Sequence, residues 1–166
     1  MILWPVGVAV AVVWFVFRSS GVDYRMVALG SLLPLVVDLP WGRRAIGHTL
    51  LASVLLLAIV MLATMGRGRR LTRRRWLGLP IGVFCGLIAS FAFTQNQVFW
   101  WPTLGWSFGD FALLPAWGVV VAFELVGAVL LIAVGTQAGL EHADARRTLL
   151  RTGRLVETVS GKGRFL

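Results

Sequence analysis

The sequence predicts an all-α integral membrane protein, a bundle of four or five transmembrane helices with one short or re-entrant element around Pro34. Three observations predict it. The 166 residues are 58% hydrophobic with a mean hydropathy of +0.82, which leaves too little polar surface to cover a water-soluble globule. Two uncharged apolar runs, Ala45–Met65 and Trp76–Thr94, are 21 and 19 residues long. At ~1.5 Å rise per residue, runs of that length reach across a hydrocarbon layer of roughly 30 Å. Between them stand Arg67, Arg69, Arg70, Arg73, Arg74 and Arg75, and arginines between such runs mark a cytoplasmic loop.

The first expected span, residues 2–17, lacks a basic start and a small-residue cleavage site, so it reads as a retained span and not as a signal peptide. The second, residues 24–38, holds an apolar stretch of only 12 residues interrupted by Pro34, which fits a crossing or a re-entrant element. Charge favours the crossing. It puts Arg18, Arg25, the arginine loop and the tail inside, 14 basic residues against Arg43 and Arg44 outside; a re-entrant element gives 12 against four. Residues 45–65, 76–94 and 115–138 complete the set, with the N-terminus outside and the C-terminus in the cytoplasm of a bacterial plasma membrane. Together, residues 1–138 form one membrane domain.

Residues 139–166 form a basic cytoplasmic tail in which Arg146, Arg147, Arg151 and Arg154 alternate with Leu149, Leu150, Leu155 and Val156. That pattern suits a helix along the headgroups, weakened at Gly153, with Ser160 to Arg164 beyond it expected to be disordered. The excess of 16 basic over 7 acidic residues does not indicate nucleic acid, because the basic residues flank apolar runs where topology accounts for them. The single cysteine, Cys85, excludes an intrachain disulfide and reads as a small core hydrophobe.

The outer segment 95–114 carries no basic residue and is rich in rings. Trp100, Trp101 and Trp106, with Phe99, Phe108 and then Trp117, suit the headgroup boundary; Pro102, Gly105 and Gly109 would also permit a lid over an outward-facing cavity. In the fourth run, Gly78, Gly82, Gly86 and Ser90 recur every four residues and line one helix face. Such a stripe lets two backbones approach closely in lipid, so it reads as a packing face for another span or another subunit.

Few side chains can carry chemistry. His142, near Glu141 and Asp144, reads as solvated. His48 falls in the first turn of a span and needs a partner there; Asp38 lies ten residues upstream, across a bend at Pro40 and Gly42. The two could offer a nitrogen and an oxygen to a metal, or bond each other, but a catalytic zinc needs three protein ligands. Glu124 sits near the middle of the last span, where a carboxylate must be protonated, paired or facing water, with Ser53 at a matching depth.

Several segments in order resemble a known family. Ile2-Leu3-Trp4, Ala28 to Pro34 running to Asp38-Leu39-Pro40, His48-Thr49-Leu50-Leu51, Gly78-Leu79-Pro80-Ile81-Gly82 and Phe99-Trp100-Trp101-Pro102 are similar to the bacterial membrane-bound metal-dependent hydrolases, some described as LexA-regulated. The similarity covers roughly Met1 to Asp110. Family members carry six His and Asp positions, and here they fall on Pro5, Leu35, Asp38, His48, Gly86 and Ser90, so four of the six ligand types are missing. The resemblance therefore implies a degenerate relative that has kept its packing and lost its metal.

The expected function is non-catalytic, exerted by packing against a membrane protein or a second copy within the bilayer, with no cofactor. The alternative is a hydrolase at the outer leaflet, with zinc or another divalent metal on His48 and Asp38 and Glu124 as a further ligand or general acid/base. A third reading is a proton or solute path through Glu124.

Overall fold

The computed structural model describes residues 1–17, 22–66, 70–153 and 155. Arg18, Arg67, Arg69, Arg154, Val156 and the segment Ser160 to Arg164 lie outside the described residues. Helix α1 (Leu3–Val12) runs into a π-helical turn, Val13–Phe17. Helix α2 (Tyr24–Asp38) begins at Asp23, whose carboxylate accepts the N–H of Arg25 at 3.1 Å, and continues through Pro34. Short 3-10 turns at Leu39–Trp41 and Ile46–His48 lead to α3 (Leu50–Ala63). Then come α4 (Arg70–Trp76), α5 (Gly78–Ala89), the single-turn α6 (Asn96–Phe99), α7 (Trp117–Gln137) and α8 (Ala143–Thr152). The one non-helical pairing among the described residues is an isolated antiparallel bridge between Arg43 and Ala112.

The expectation of four or five transmembrane helices is corrected. Among the described residues, only α7, with 21 residues, is long and apolar enough to cross a membrane. The other apolar runs are longer than the helices inside them. The run from Ala45 opens with a 3-10 turn, and α3 starts only at Leu50, where the Thr49 hydroxyl accepts the N–H of Ala52 at 3.1 Å as an N-cap. The run from Trp76 gives α5 just 12 residues, since the chain leaves the helix at Ser90 and Phe91 takes a left-handed φ of 53°. At ~1.5 Å per residue, α3 reaches about 21 Å and α5 about 18 Å, short of the roughly 30 Å hydrocarbon layer. Apolar length measured composition; caps set helix length.

Two parallel helix pairs build the body. Gly78, Gly82 and Gly86 of α5 face Asp23, Val27 and Ser31 of α2, both sets stepping by four. A Cβ on Gly86 would come within 2.5 Å of the Ser31 carbonyl oxygen, and one on Gly82 would overlap the Val27 carbonyl. The stripe thus has its partner inside the chain. In the second pair, Gly7 of α1 meets Gly127 of α7, and Trp4 stacks on Phe123 with ring centroids 4.8 Å apart. Where the pairs meet, Ala9, Val13, Val27, Cys85 and Val134 form a buried core.

The tail helix docks on this body. The Leu150 carbonyl accepts from Arg25 at 2.8 Å, the Gly153 carbonyl accepts from the N–H of Tyr24 at 2.8 Å, and Leu155 is buried. Gly153 ends α8 with φ +70°, where a Cβ would collide with the Asp23 carboxylate. By contrast, the outer face of α7 stays uncovered, with Leu125, Val129 and Ile132 each more than 60% exposed.

Candidate functional site

Asp38 closes α2, and the turn that follows folds back over it. Its Oδ2 accepts the N–H of Ala45 at 2.7 Å and meets His48 Nδ1 at 2.7 Å, while Oδ1 accepts the N–H of Gly47 at 2.8 Å. Three donors on one buried carboxylate favour its ionised form. An ionised Asp38 can only accept, so the short contact with His48 calls for the tautomer that carries its proton on Nδ1. Gly47 is required by this closure, because a Cβ there would sit 2.6 Å from the Pro34 carbonyl oxygen and 2.9 Å from Asp38 Oδ1.

His48 lines a cleft of about 20 Å³ together with Pro5, Ser31, Leu35, Arg44, Gly86 and Ser90. Five of the six positions picked out by the family resemblance therefore surround one small space, and the sixth, Asp38, is bonded to His48. The hydroxyls of Ser31 and Ser90 donate to their own helices, to the carbonyls of Ala28 at 2.8 Å and Leu87 at 3.0 Å. Ser90 thus closes α5 and borders the cleft, while its three stripe companions pack on α2.

Sequence reasoning did not single out Arg44 here. Its backbone N–H donates to the Phe111 carbonyl at 2.9 Å, beside the Arg43–Ala112 bridge, and the residue is 8% exposed. Burial pushes its pKa down, yet a guanidinium stays protonated in a protein. Its Nε has no hydrogen-bond partner among the described residues. The sequence signal was slight: an arginine four residues before His48, counted only as an outer-loop charge.

Among the described residues, the side chains at this cleft offer few ligands to a divalent metal. Asp38 already accepts three hydrogen bonds, His48 would be the single remaining ligand, and the neighbouring Arg44 cation would repel the ion. No three His, Cys, Asp or Glu side chains gather to hold an ion among the described residues.

Glu124 lies elsewhere. Its carboxylate accepts the backbone N–H groups of Ile2 at 2.6 Å and Leu3 at 3.0 Å, at the start of α1. Ser53, its expected partner in depth, instead lines an apolar groove of about 500 Å³ with Val12, Val54, Leu57 and Phe84. Of the outer-loop rings, Trp101 stacks on Phe108 at 5.1 Å and meets Trp106 edge-on at 5.9 Å. Trp106 is 82% exposed and Trp100 is half exposed.

No family model matches the chain, and neither a curated protein nor a solved structure matches it.

Proposed function

We propose that this chain is a membrane-embedded, non-catalytic relative of the metal-dependent hydrolases that works through contacts of its apolar surface with lipid or a membrane-protein partner. The observation that carries the reading is the use made of Asp38. Both of its oxygens serve to lock the 39–49 turn, through Ala45, Gly47 and His48, so the two surviving ligand-type residues act as a latch. The outer face of α7 supports the membrane part: a 21-residue helix buried in a soluble core would hide its leucines, whereas Leu125, Val129 and Ile132 are open.

One observation favours a hydrolase as the second reading. His48 is oriented by a buried carboxylate through Nδ1, the arrangement general acid/base catalysis uses. Against it stand the size of the cleft, about 20 Å³, which holds one water-sized group and no substrate, and the engagement of Glu124 with α1.

Metal analysis of the purified protein, wild type against His48→Ala, tests the proposal. Neither form is expected to carry stoichiometric metal. About one zinc per chain in the wild type, lost in the variant, would overturn it. Flotation of the full chain with reconstituted vesicles tests the membrane part, and recovery in the soluble fraction without detergent counts against it.

A further inference from the structure

We infer that the cleft beside His48 binds one oxygen of a phosphate group, held by the guanidinium of Arg44. A buried cation loses its hydration and needs a counter-charge. Arg44 has none: it makes no ion pair within the described residues, and its Nε is an unanswered donor. Asp38 does not supply one, although it bonds the N–H of the very next residue, because its oxygens face Ala45, Gly47 and His48. The Arg44 backbone is pinned by Phe111 and the residue borders the cleft, which keeps its charge at this corner of the fold.

The dimensions narrow the ligand. A space of about 20 Å³ admits a single water-sized group, which suits one oxygen of a larger anion whose remainder stays outside. Arginine offers a planar set of donors matched to phosphate oxygens. Leu35, Leu113 and Leu114 in the cleft lining would meet carbon rather than water, as the ester and acyl carbons of a phospholipid would provide. Free phosphate shares the same recognition chemistry, and only the lipid source depends on the membrane reading above.

The test uses the full chain, delipidated in a neutral detergent, with the unfolding midpoint followed against rising dihexanoyl phosphatidylglycerol, inorganic phosphate, or dihexanoylglycerol as the phosphate-free control. The wild type and Arg43→Gln, whose side chain is about half exposed, should show a saturable rise with a phosphate-bearing probe, and Arg44→Gln should bind at least about tenfold more weakly. A rise with the lipid alone assigns a headgroup; a rise with inorganic phosphate assigns the free anion. The inference is overturned by no saturable rise in the wild type, by an equal rise with dihexanoylglycerol, or by an Arg44→Gln variant that responds like wild type. If that variant does not fold, Arg44→Lys replaces it, and unchanged affinity there also overturns the inference, because lysine keeps the charge without the planar donor set. Zinc in the wild type would defeat the non-catalytic reading and leave this one standing, whereas absent phosphate binding would do the reverse.

Discussion

The carboxylate of Glu124, about a third of the way along α7, accepts the backbone N–H of Ile2 at 2.6 Å, 122 residues away in the chain. The first N–H groups of a helix have no partner within it, and an acidic group beside them also meets the positive end of the helix dipole. Glu124 therefore does for α1 what an N-cap side chain does elsewhere; Ile2, at the N-cap position, offers no side-chain cap.

Replacing Glu124 by Ala is expected to cost about 1–2 kcal/mol of stability, the usual range for a lost cap, while Glu124→Gln keeps an acceptor oxygen and loses less. Denaturant unfolding of the two variants checks the order. If Gln destabilises as much as Ala, charge rather than capping is what matters. A proton path makes a different forecast, loss of flux in proteoliposomes with Gln.

The α2–α5 contact gives a sharper contrast. Gly82→Ala drives a methyl against the Val27 carbonyl and should cost about 1–3 kcal/mol, whereas Gly118→Ala in α7 meets nothing within 4 Å and should change stability by about 0.5 kcal/mol or less. Thermal unfolding separates them. Similar midpoints for both would mean that the glycine stripe does not hold α5 against α2.

The latch predicts an order of severity. Asp38→Ala strands the buried N–H groups of Ala45 and Gly47 as well as His48, so a loss of roughly 3–5 kcal/mol is expected. His48→Ala removes one of three donors and should cost about 1–2 kcal/mol. Equal losses would argue that the histidine, not the carboxylate, organises the turn.

Asp23 predicts a pH dependence. Burial raises its pKa, but the Arg25 guanidinium and the N–H groups at the start of α2 outweigh burial and hold it below its ordinary value of 3.8. A carboxyl whose folded pKa is depressed stabilises fully above the ordinary value and loses that contribution as pH falls through it and below. The stability gap between wild type and Asp23→Ala, about 1 kcal/mol at neutral pH, should therefore close as pH drops below 3.8. A gap that widens on acidification would contradict the assignment. Gly153→Ala should loosen the same corner at every pH, because its left-handed φ and its contact with Asp23 do not titrate.

Much of this protein was legible one segment at a time. Composition and apolar runs announce a helical chain, the 21-residue stretch of α7 is long enough to measure directly, and glycines every fourth residue announce a helix face built for close contact. The bend at Pro40 and Gly42 brings Asp38 and His48 within reach across ten residues. Local periodicity and turn chemistry suffice for such features, because each depends on neighbours a few positions away.

Tertiary structure alone decided the rest. It cut the apolar runs into helices shorter than a bilayer, since the Thr49 cap and the turn at Phe91 end helices where composition is still apolar. Chain path likewise decided that the glycine face meets α2, that Glu124 serves the start of α1, and that Arg44 is enclosed beside His48 with no counter-charge among the described residues. Each of those pairings joins residues distant in sequence or depends on what packs around a turn. A linear pattern carries the capacity of a residue to make a contact, and only the folded backbone selects which contact is made.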